Sequence, residues 1–310
     1  MDRSFDERLK TFVGRPIVRW GGLAVGIVMF GFVVARSWSG LSEAQDAQVD
    51  WLWIAVSLLL ICLGEGVTGI GLARAISMLG QPAGIRTGIH VHFATAPARV
   101  LPGFLGTTVG RVGVGARHGL ASKQVAAASL IEPSMSAVVA VALGLAFIDE
   151  PLVAVGGDLE PAWRLALISL VVVVVVLVVL ATLRYFRRTV RGRSVKFHQW
   201  ALLLLTYLVV WVLFGASLSA LIEGVGGGYL GIGQSAAIFA VSWLLGFVVI
   251  VVPGGLGIRE SVMVLLLTPW ISPELGATVA VISRLLWWIA TGVVFALSSL
   301  ARSPEVEGSQ

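Results

Sequence analysis

The sequence predicts an all-α integral membrane protein, with about six full transmembrane helices plus two re-entrant helical hairpins. Three observations carry that prediction. Of the 310 residues, 57% are hydrophobic and only 13% are charged, with a mean hydropathy of +0.94. The apolar residues fall into runs long enough to cross a bilayer, which takes about 20 residues. Two further apolar segments are broken by the same Pro-Gly pattern, PGxLG. A soluble domain carries about a quarter charged residues, so this chain has too few to coat a water-facing surface. That excludes a soluble globular enzyme, a disordered chain and a coiled coil. The length would suit about two soluble domains, but no hydrophilic stretch is long enough to fold alone. Residues 18–300 therefore read as one polytopic membrane domain between a cytoplasmic segment, 1–17, and a cytoplasmic tail, 301–310.

The first span, 18–35, follows a basic N-terminus. It exceeds the apolar core of a signal peptide, about 7–15 residues, and no small-x-small cleavage pattern follows it, so it is expected to be retained. The other full spans are 51–73, 122–148, 163–183, 200–222 and 276–299. The stretch LALISLVVVVVVLVVLATL is almost purely aliphatic. In lipid a helix is the only single-segment solution for its backbone, and it is expected to face lipid. Pro133 is expected to kink the span it lies in. Trp51 and Trp53 read as interfacial anchors, and so do Trp200, Trp287 and Trp288. Gly226-Gly227-Gly228 reads as a flexible outer loop.

The broken segments are 83–118 and 233–269. The first holds Pro102-Gly103-Phe104-Leu105-Gly106, and the second holds Pro253-Gly254-Gly255-Leu256-Gly257, 151 residues further on. Pro-Gly ends a helix and turns the chain. At membrane depth such a turn is tolerated only when buried in protein or facing water. The reading is two hairpins, with Pro102, Gly103, Gly106, Pro253, Gly254, Gly255 and Gly257 as turn or hinge residues. The alternative is that 233–252 simply spans.

Charge tests the topology, because Lys and Arg orient spans. With the N-terminus inside, the cytoplasmic segments hold Arg3, Arg8, Lys10, Arg15, Arg19, Arg74, Arg86, Arg117, Lys123, Arg184, Arg187, Arg188, Arg191, Arg193, Lys196 and Arg302, most of the 22 basic residues. The outer segments hold only Arg36 and Arg164 beside many acids. This asymmetry explains the net charge of +5 better than nucleic-acid binding does. Six crossings place both termini in the cytoplasm of a cell (inner or plasma) membrane. The first hairpin then enters from inside and the second from outside. Repeat-like units, 83–148 and 233–299, would form an inverted-topology pair of the kind that builds a midplane site in transporters.

Four arginines fall at membrane depth: Arg99, Arg111, Arg259 and Arg284. Glu65, Glu132 and Glu260 join them. A central charge costs roughly 2.5–3.5 kcal/mol on insertion scales, so the seven together cost about 20 kcal/mol before pairing. They must pair, face water or bind something charged. A repeat would bring them to one central cavity, where arginine's planar fork suits phosphate or carboxylate oxygens. These seven are the candidate substrate-binding residues. The competing reading is plain buried ion pairs, Arg284 with Glu132 and Arg111 with Glu65, while Arg259 and Glu260 snorkel.

His90 and His92 lie two apart on a helix and face different directions, so they are expected to line the hairpin interface rather than share a metal. The run RRTVRGR (187–193) reads as a topology determinant. Cys62 is the single cysteine and reads as a small apolar residue. The chain has no GxSxG, HExxH or Walker motif and no paired aspartates suited to a glycosyl-transfer metal. No metal, cofactor or nucleic acid is expected.

The stretch VVPGGLGIRESVMVLLL (251–267) resembles the most characteristic motif of the lysylphosphatidylglycerol synthase transmembrane-region family, also called flippase-like domain proteins. ARVLPGFLGTTVGRVGVGARHGL (98–120), followed by AAASLIEP, resembles its other block. The resemblance covers roughly residues 18–300. By motif position it carries over Arg99, Pro102, Gly103, Arg111, Pro253, Gly254, Gly255, Gly257, Arg259 and Glu260. It implies a polytopic inner-membrane protein. The best-known members fuse this region to a soluble aminoacyl-transferase domain and are implicated in moving aminoacylated phospholipid to the outer leaflet. After Leu300 only ARSPEVEGSQ remains here, so a stand-alone member is expected, without lysyl transfer.

The expected function is translocation or binding of an anionic phospholipid or lipid-linked head group through an arginine-lined midplane cavity. Transport would be passive, ion-coupled or partner-driven, with Glu132 and Glu260 as candidates for proton coupling. The chain is not expected to be an enzyme. One alternative is an intramembrane transferase acting on a lipid-linked substrate, for which Glu132, Glu260 and His92 are the available acid–base groups. The other is a non-transporting partner of a lipid-modifying or glycosyl-transferring enzyme.

Overall fold

The computed structural model describes residues 49–95, 105–147, 195–248 and 255–300, with isolated helical positions between 28 and 35 and between 169 and 184. Apart from those positions, the expected spans 18–35 and 163–183 lie outside the described residues. So do the two terminal segments and Arg99, Pro102, Gly103, Pro253 and Gly254. Among the described residues there are eight helices and no strand: α1 (Trp51–Met78), α2 (Ile85–Ala94), α3 (Leu105–Arg117), α4 (Ser122–Phe147), α5 (Phe197–Gly224), α6 (Ile232–Val248), α7 (Ile258–Leu267) and α8 (Pro273–Leu300).

Four of them, α1, α4, α5 and α8, are long and apolar enough to cross a membrane. They coincide with four of the six expected spans; α1, α5 and α8 run a few residues further, and α4 ends one residue earlier. α1 and α5 each have 28 residues, about 42 Å at 1.5 Å per residue. α4 continues through Pro133 without ending. The helices that flank the PGxLG patterns are shorter. α2 and α7 have 10 residues each, α3 has 13 and α6 has 17. Ten residues rise about 15 Å, half of a ~30 Å hydrocarbon core.

Helix ends follow local chemistry. Asp50 caps α1, its Oδ1 accepting the Leu52 N–H at 2.9 Å. α7 starts after Gly255 (φ +64°) and Gly257 (φ +79°), a backbone that residues with a Cβ avoid. Glu260 then accepts the Gly257 N–H at 2.6 Å and so satisfies one of the free donors at the α7 N-terminus.

α1 and α5 form the central pair and run antiparallel. The Asp50 N–H at the start of α1 donates to the Gly224 carbonyl at the end of α5, at 2.9 Å. Ser57 and Ser217 share a hydroxyl–hydroxyl bond of 2.8 Å. Arg74, late in α1, donates to Thr206, early in α5. Lipid tails are as apolar as leucine, so close packing and such polar bonds hold helices together rather than water exclusion. Small residues supply the approach. A Cβ on Gly215 would meet the Ala236 Cα at 2.6 Å, and Gly88 is pressed equally hard against Ala73.

The remaining contacts obey a pairing rule. α2 packs on α1 as α6 packs on α5. α3 packs on α4 as α7 packs on α8. α2 meets α8 as α6 meets α4, α2 meets α3 as α6 meets α7, and α1 meets α4 as α5 meets α8. Exchanging α1–α4 with α5–α8 maps this pattern onto itself. The core at the crossing contains Trp211, Tyr207 and Phe239, all essentially inaccessible.

The aliphatic segment is described at six positions. Val173, Val176 and Leu180 are exposed, as a lipid-facing helix requires, but Thr182 is buried and shares a hydrogen bond of 2.8 Å with Ser134 of α4. One side of that segment therefore docks on the bundle.

Candidate functional site

The embedded charges converge from six helices. In the first half, Glu65 lies on α1, His92 on α2, Arg111 on α3 and Glu132 on α4. Glu65 is 2% exposed, His92 1% and Arg111 3%. Glu65 Oε2 is 3.0 Å from His92 Nε2. His92 Nδ1 is 3.0 Å from Arg111 Nη2. Arginine has donors only, so Nδ1 accepts from Arg111, and the ring proton sits on Nε2 and is donated to Glu65. Arg111 Nη1 stands 2.8 Å from Glu132 Oε2. That contact is a charge pair rather than an aligned hydrogen bond, because Oε2 has no hydrogen-bond partner among the described residues.

In the second half, Glu260 of α7 faces Arg284 of α8, with Oε1 and Nη1 3.5 Å apart. The two ion pairs occupy matching places, α3 to α4 and α7 to α8, with the sign reversed. The arginine is on the shorter helix in one half and the glutamate is in the other.

Arg259 is held differently. Its guanidinium lies 4.1 Å from the Trp287 ring centroid and 4.5 Å from that of Phe239. These two rings are stacked at 5.8 Å from each other, beside Phe214. Cation–π contact is worth about 2 kcal/mol when desolvated, and it leaves the in-plane N–H donors free. Arg259 is 5% exposed, and its Nη2 has no hydrogen-bond partner among the described residues. Its charged neighbours are Arg284, Glu260 and Glu65. The described cluster thus sets three carboxylates against three guanidiniums.

Several expectations are corrected. Arg111 pairs with Glu132, not Glu65, and Arg284 pairs with Glu260, not Glu132. Arg259 and Glu260 do not snorkel, since both are buried. Trp287 is no interfacial anchor, because it covers Arg259; Trp288 is half exposed. The aromatic clamp of Phe239 and Trp287 was not read from the sequence. A tryptophan three positions after an embedded arginine was the available signal. Of the turn residues, Gly106 lies inside α3, while Gly255 and Gly257 lie at the α7 turn. Arg99 lies outside the described residues.

His90 and His92 do face apart. His90 meets His118 edge-on at 5.0 Å, beyond the end of α3. Burial, and secondarily the proximity of His90, hold the His118 imidazole below its usual 6.5. A lowered histidine value means that stability is present above about 6.5 and is lost as pH falls through that value towards the folded one. The melting temperature is expected to fall as pH drops from about 7 to 5, and His118→Gln is expected to flatten part of that slope. Among the described residues no group of three or more His, Cys, Asp or Glu could hold a metal ion.

Long apolar helices that carry a largely buried cluster of opposite charges define a multi-pass helical membrane protein. The model of the lysylphosphatidylglycerol synthase TM region matches residues 19–294, and the chain belongs to that family. No curated protein matches it.

Proposed function

We propose that this protein carries anionic phospholipid between leaflets of the cell membrane, with both termini cytoplasmic, and that Arg259 receives the head group. The observation that carries the reading is the buried Arg259 guanidinium, set against the faces of Phe239 and Trp287, with Nη2 unmatched among the described residues. A buried unsatisfied donor costs about 1–3 kcal/mol, more when charged. A phosphate oxygen would satisfy it and add the bidentate geometry arginine favours. The aromatic faces hold the cation without using its donors. Arg111 and Arg284 already have carboxylate partners, so their part is to keep the cluster together while Arg259 binds.

The packing symmetry supports a transporter. α1 and α5 exchange under the pairing rule and are antiparallel. A two-fold axis relating antiparallel spans lies in the membrane plane, as in inverted-topology repeats. The units then include the preceding long helices, 51–147 and 197–300, with α2–α3 and α6–α7 as re-entrant hairpins. In this conformation Arg259 is occluded, so either side would open by moving one half against the other. The family name speaks of lysylphosphatidylglycerol, which is consistent with a phospholipid as cargo.

The reading is tested in liposomes containing head-group-labelled phosphatidylglycerol. The reconstituted protein is expected to speed leaflet exchange without producing any new lipid species by mass spectrometry. New species would favour an intramembrane transferase. Absence of exchange under every imposed gradient would contradict translocation.

A further inference from the structure

The chain Glu65–His92–Arg111–Glu132 admits one proton assignment. Arg111 can only donate, so His92 Nδ1 carries no proton. An imidazolium at His92 would turn Nδ1 into a donor facing Arg111 Nη2 at 3.0 Å, with two positive charges in contact. Glu65, 3.0 Å from Nε2, would still stabilise that imidazolium. Of these two partners, Arg111 is the incompatible one. Glu132, 2.8 Å from Nη1, is placed to take it over entirely. Tyr207 of α5 adds to the acceptor side. Its Oη is buried without a hydrogen-bond partner among the described residues and has Glu132 and Arg111 as charged neighbours.

Every helix packed on α2 carries a charged group of the cluster. α1 brings Glu65, and α3 brings Arg111 with Glu132 of α4 behind it. α8 brings Arg284, held on Glu260. Arg259 of α7 has Glu65 among its neighbours. Glu132 and Glu260, the carboxylates that the sequence offers for proton coupling, are both committed. Glu132 faces Arg111, and Glu260 accepts the Gly257 N–H and faces Arg284. His92 is the member of the chain whose change of charge breaks one contact and keeps the other. His92 ends the α2 arm and Arg111 lies on the α3 arm, on either side of the first PGxLG pattern.

We infer that His92, set between Glu65 and Arg111, is the binding site of a coupling proton, and that protonation releases α3 from α2. The coupling role rests on the translocation reading; the proton switch itself does not.

The test uses the full chain in phosphatidylglycerol-containing nanodiscs. NMR of ¹⁵N-labelled histidine reads the His92 protonation state, and hydrogen exchange reads residues 105–117. Over about pH 8 to 5, His92 is expected to pass from the neutral Nε2–H form to imidazolium. Protection of α3 is expected to fall about tenfold or more, the size of a lost hydrogen bond to a charged group. In His92→Gln the α3 response is expected to vanish, and in Glu65→Gln to move to lower pH. If His92→Gln does not fold, the wild-type titration decides alone. A His92 that stays neutral throughout, or an α3 response that persists in His92→Gln, overturns the proposal. Leaflet exchange under a pH gradient is run in parallel. Exchange without any His92 response would overturn the proton site and leave translocation standing. A His92-dependent α3 response without exchange would support the proton site and overturn translocation.

Discussion

Replacing Arg111 by alanine is expected to destabilise the folded protein by about 3–5 kcal/mol, the range for breaking a buried ion pair from one side. The reason is the company it keeps. Arg111 answers two groups at once, His92 Nδ1 at 3.0 Å and Glu132 Oε2 at 2.8 Å. Its removal leaves Glu132 as a charge at membrane depth without its cation, next to the unsatisfied Tyr207 hydroxyl. The fall in unfolding free energy can be measured by denaturant titration in mixed micelles. The double variant Arg111→Met with Glu132→Leu is expected to recover most of the loss, since removing both partners leaves no orphaned charge. An Arg111→Ala protein as stable as the wild type would show that the pair is not buried as described.

Gly255→Ala is the second large effect. Gly255 sits at φ +64°, where a Cβ costs about 1–2 kcal/mol. Its Cβ would also meet the Cα and carbonyl oxygen of Gly246 at 2.8 Å, backbone that cannot step aside. Overpacking of that kind adds about 1–3 kcal/mol, so the expected loss is roughly 2–5 kcal/mol. Arg259 and Glu260 follow directly in α7, and a Cβ on Gly246 would meet the Arg259 Cβ at 3.2 Å, so Gly246 also packs close to the site. A shifted turn therefore displaces the site as well as weakening the fold. Thermal melting of the variant, followed by intrinsic tryptophan emission from Trp287 and its neighbours, reads both. An unchanged melting temperature would contradict this geometry.

Much of the architecture was legible in the sequence because a bilayer enforces length. α1, α4, α5 and α8 were found from apolar runs alone, and the PGxLG patterns marked where helices shorten. Helix faces were not legible. In a water-soluble helix the buried side is the apolar side. In lipid both sides are apolar, so nothing along α1 announces that Glu65 points at His92 of α2 rather than at Arg111 of α3. The competing ion-pair reading therefore names the wrong partners, although the six embedded charges among the described residues are all legible as such. The thermodynamic cost of embedding a charge is visible residue by residue; its partner is fixed by packing. The same limit hides the Phe239–Trp287 pair, whose members look like ordinary apolar residues until Arg259 lies against both of them. The symmetry of the packing was also larger than its sequence trace. One short motif repeated at 151 residues, whereas the contacts pair α1–α4 with α5–α8 as whole units.

The most direct test of the central claim compares wild type with Arg259→Ala for leaflet exchange of head-group-labelled phosphatidylglycerol in proteoliposomes. Arg259 is the better choice than Arg284, because removing Arg284 would also strand Glu260, which holds the α7 N-terminus. Equal reconstitution and melting temperature establish that the variant is folded. The account predicts exchange in the wild type well above that of protein-free vesicles, and in Arg259→Ala a rate close to the protein-free level. A folded Arg259→Ala protein that exchanges lipid at the wild-type rate would contradict it.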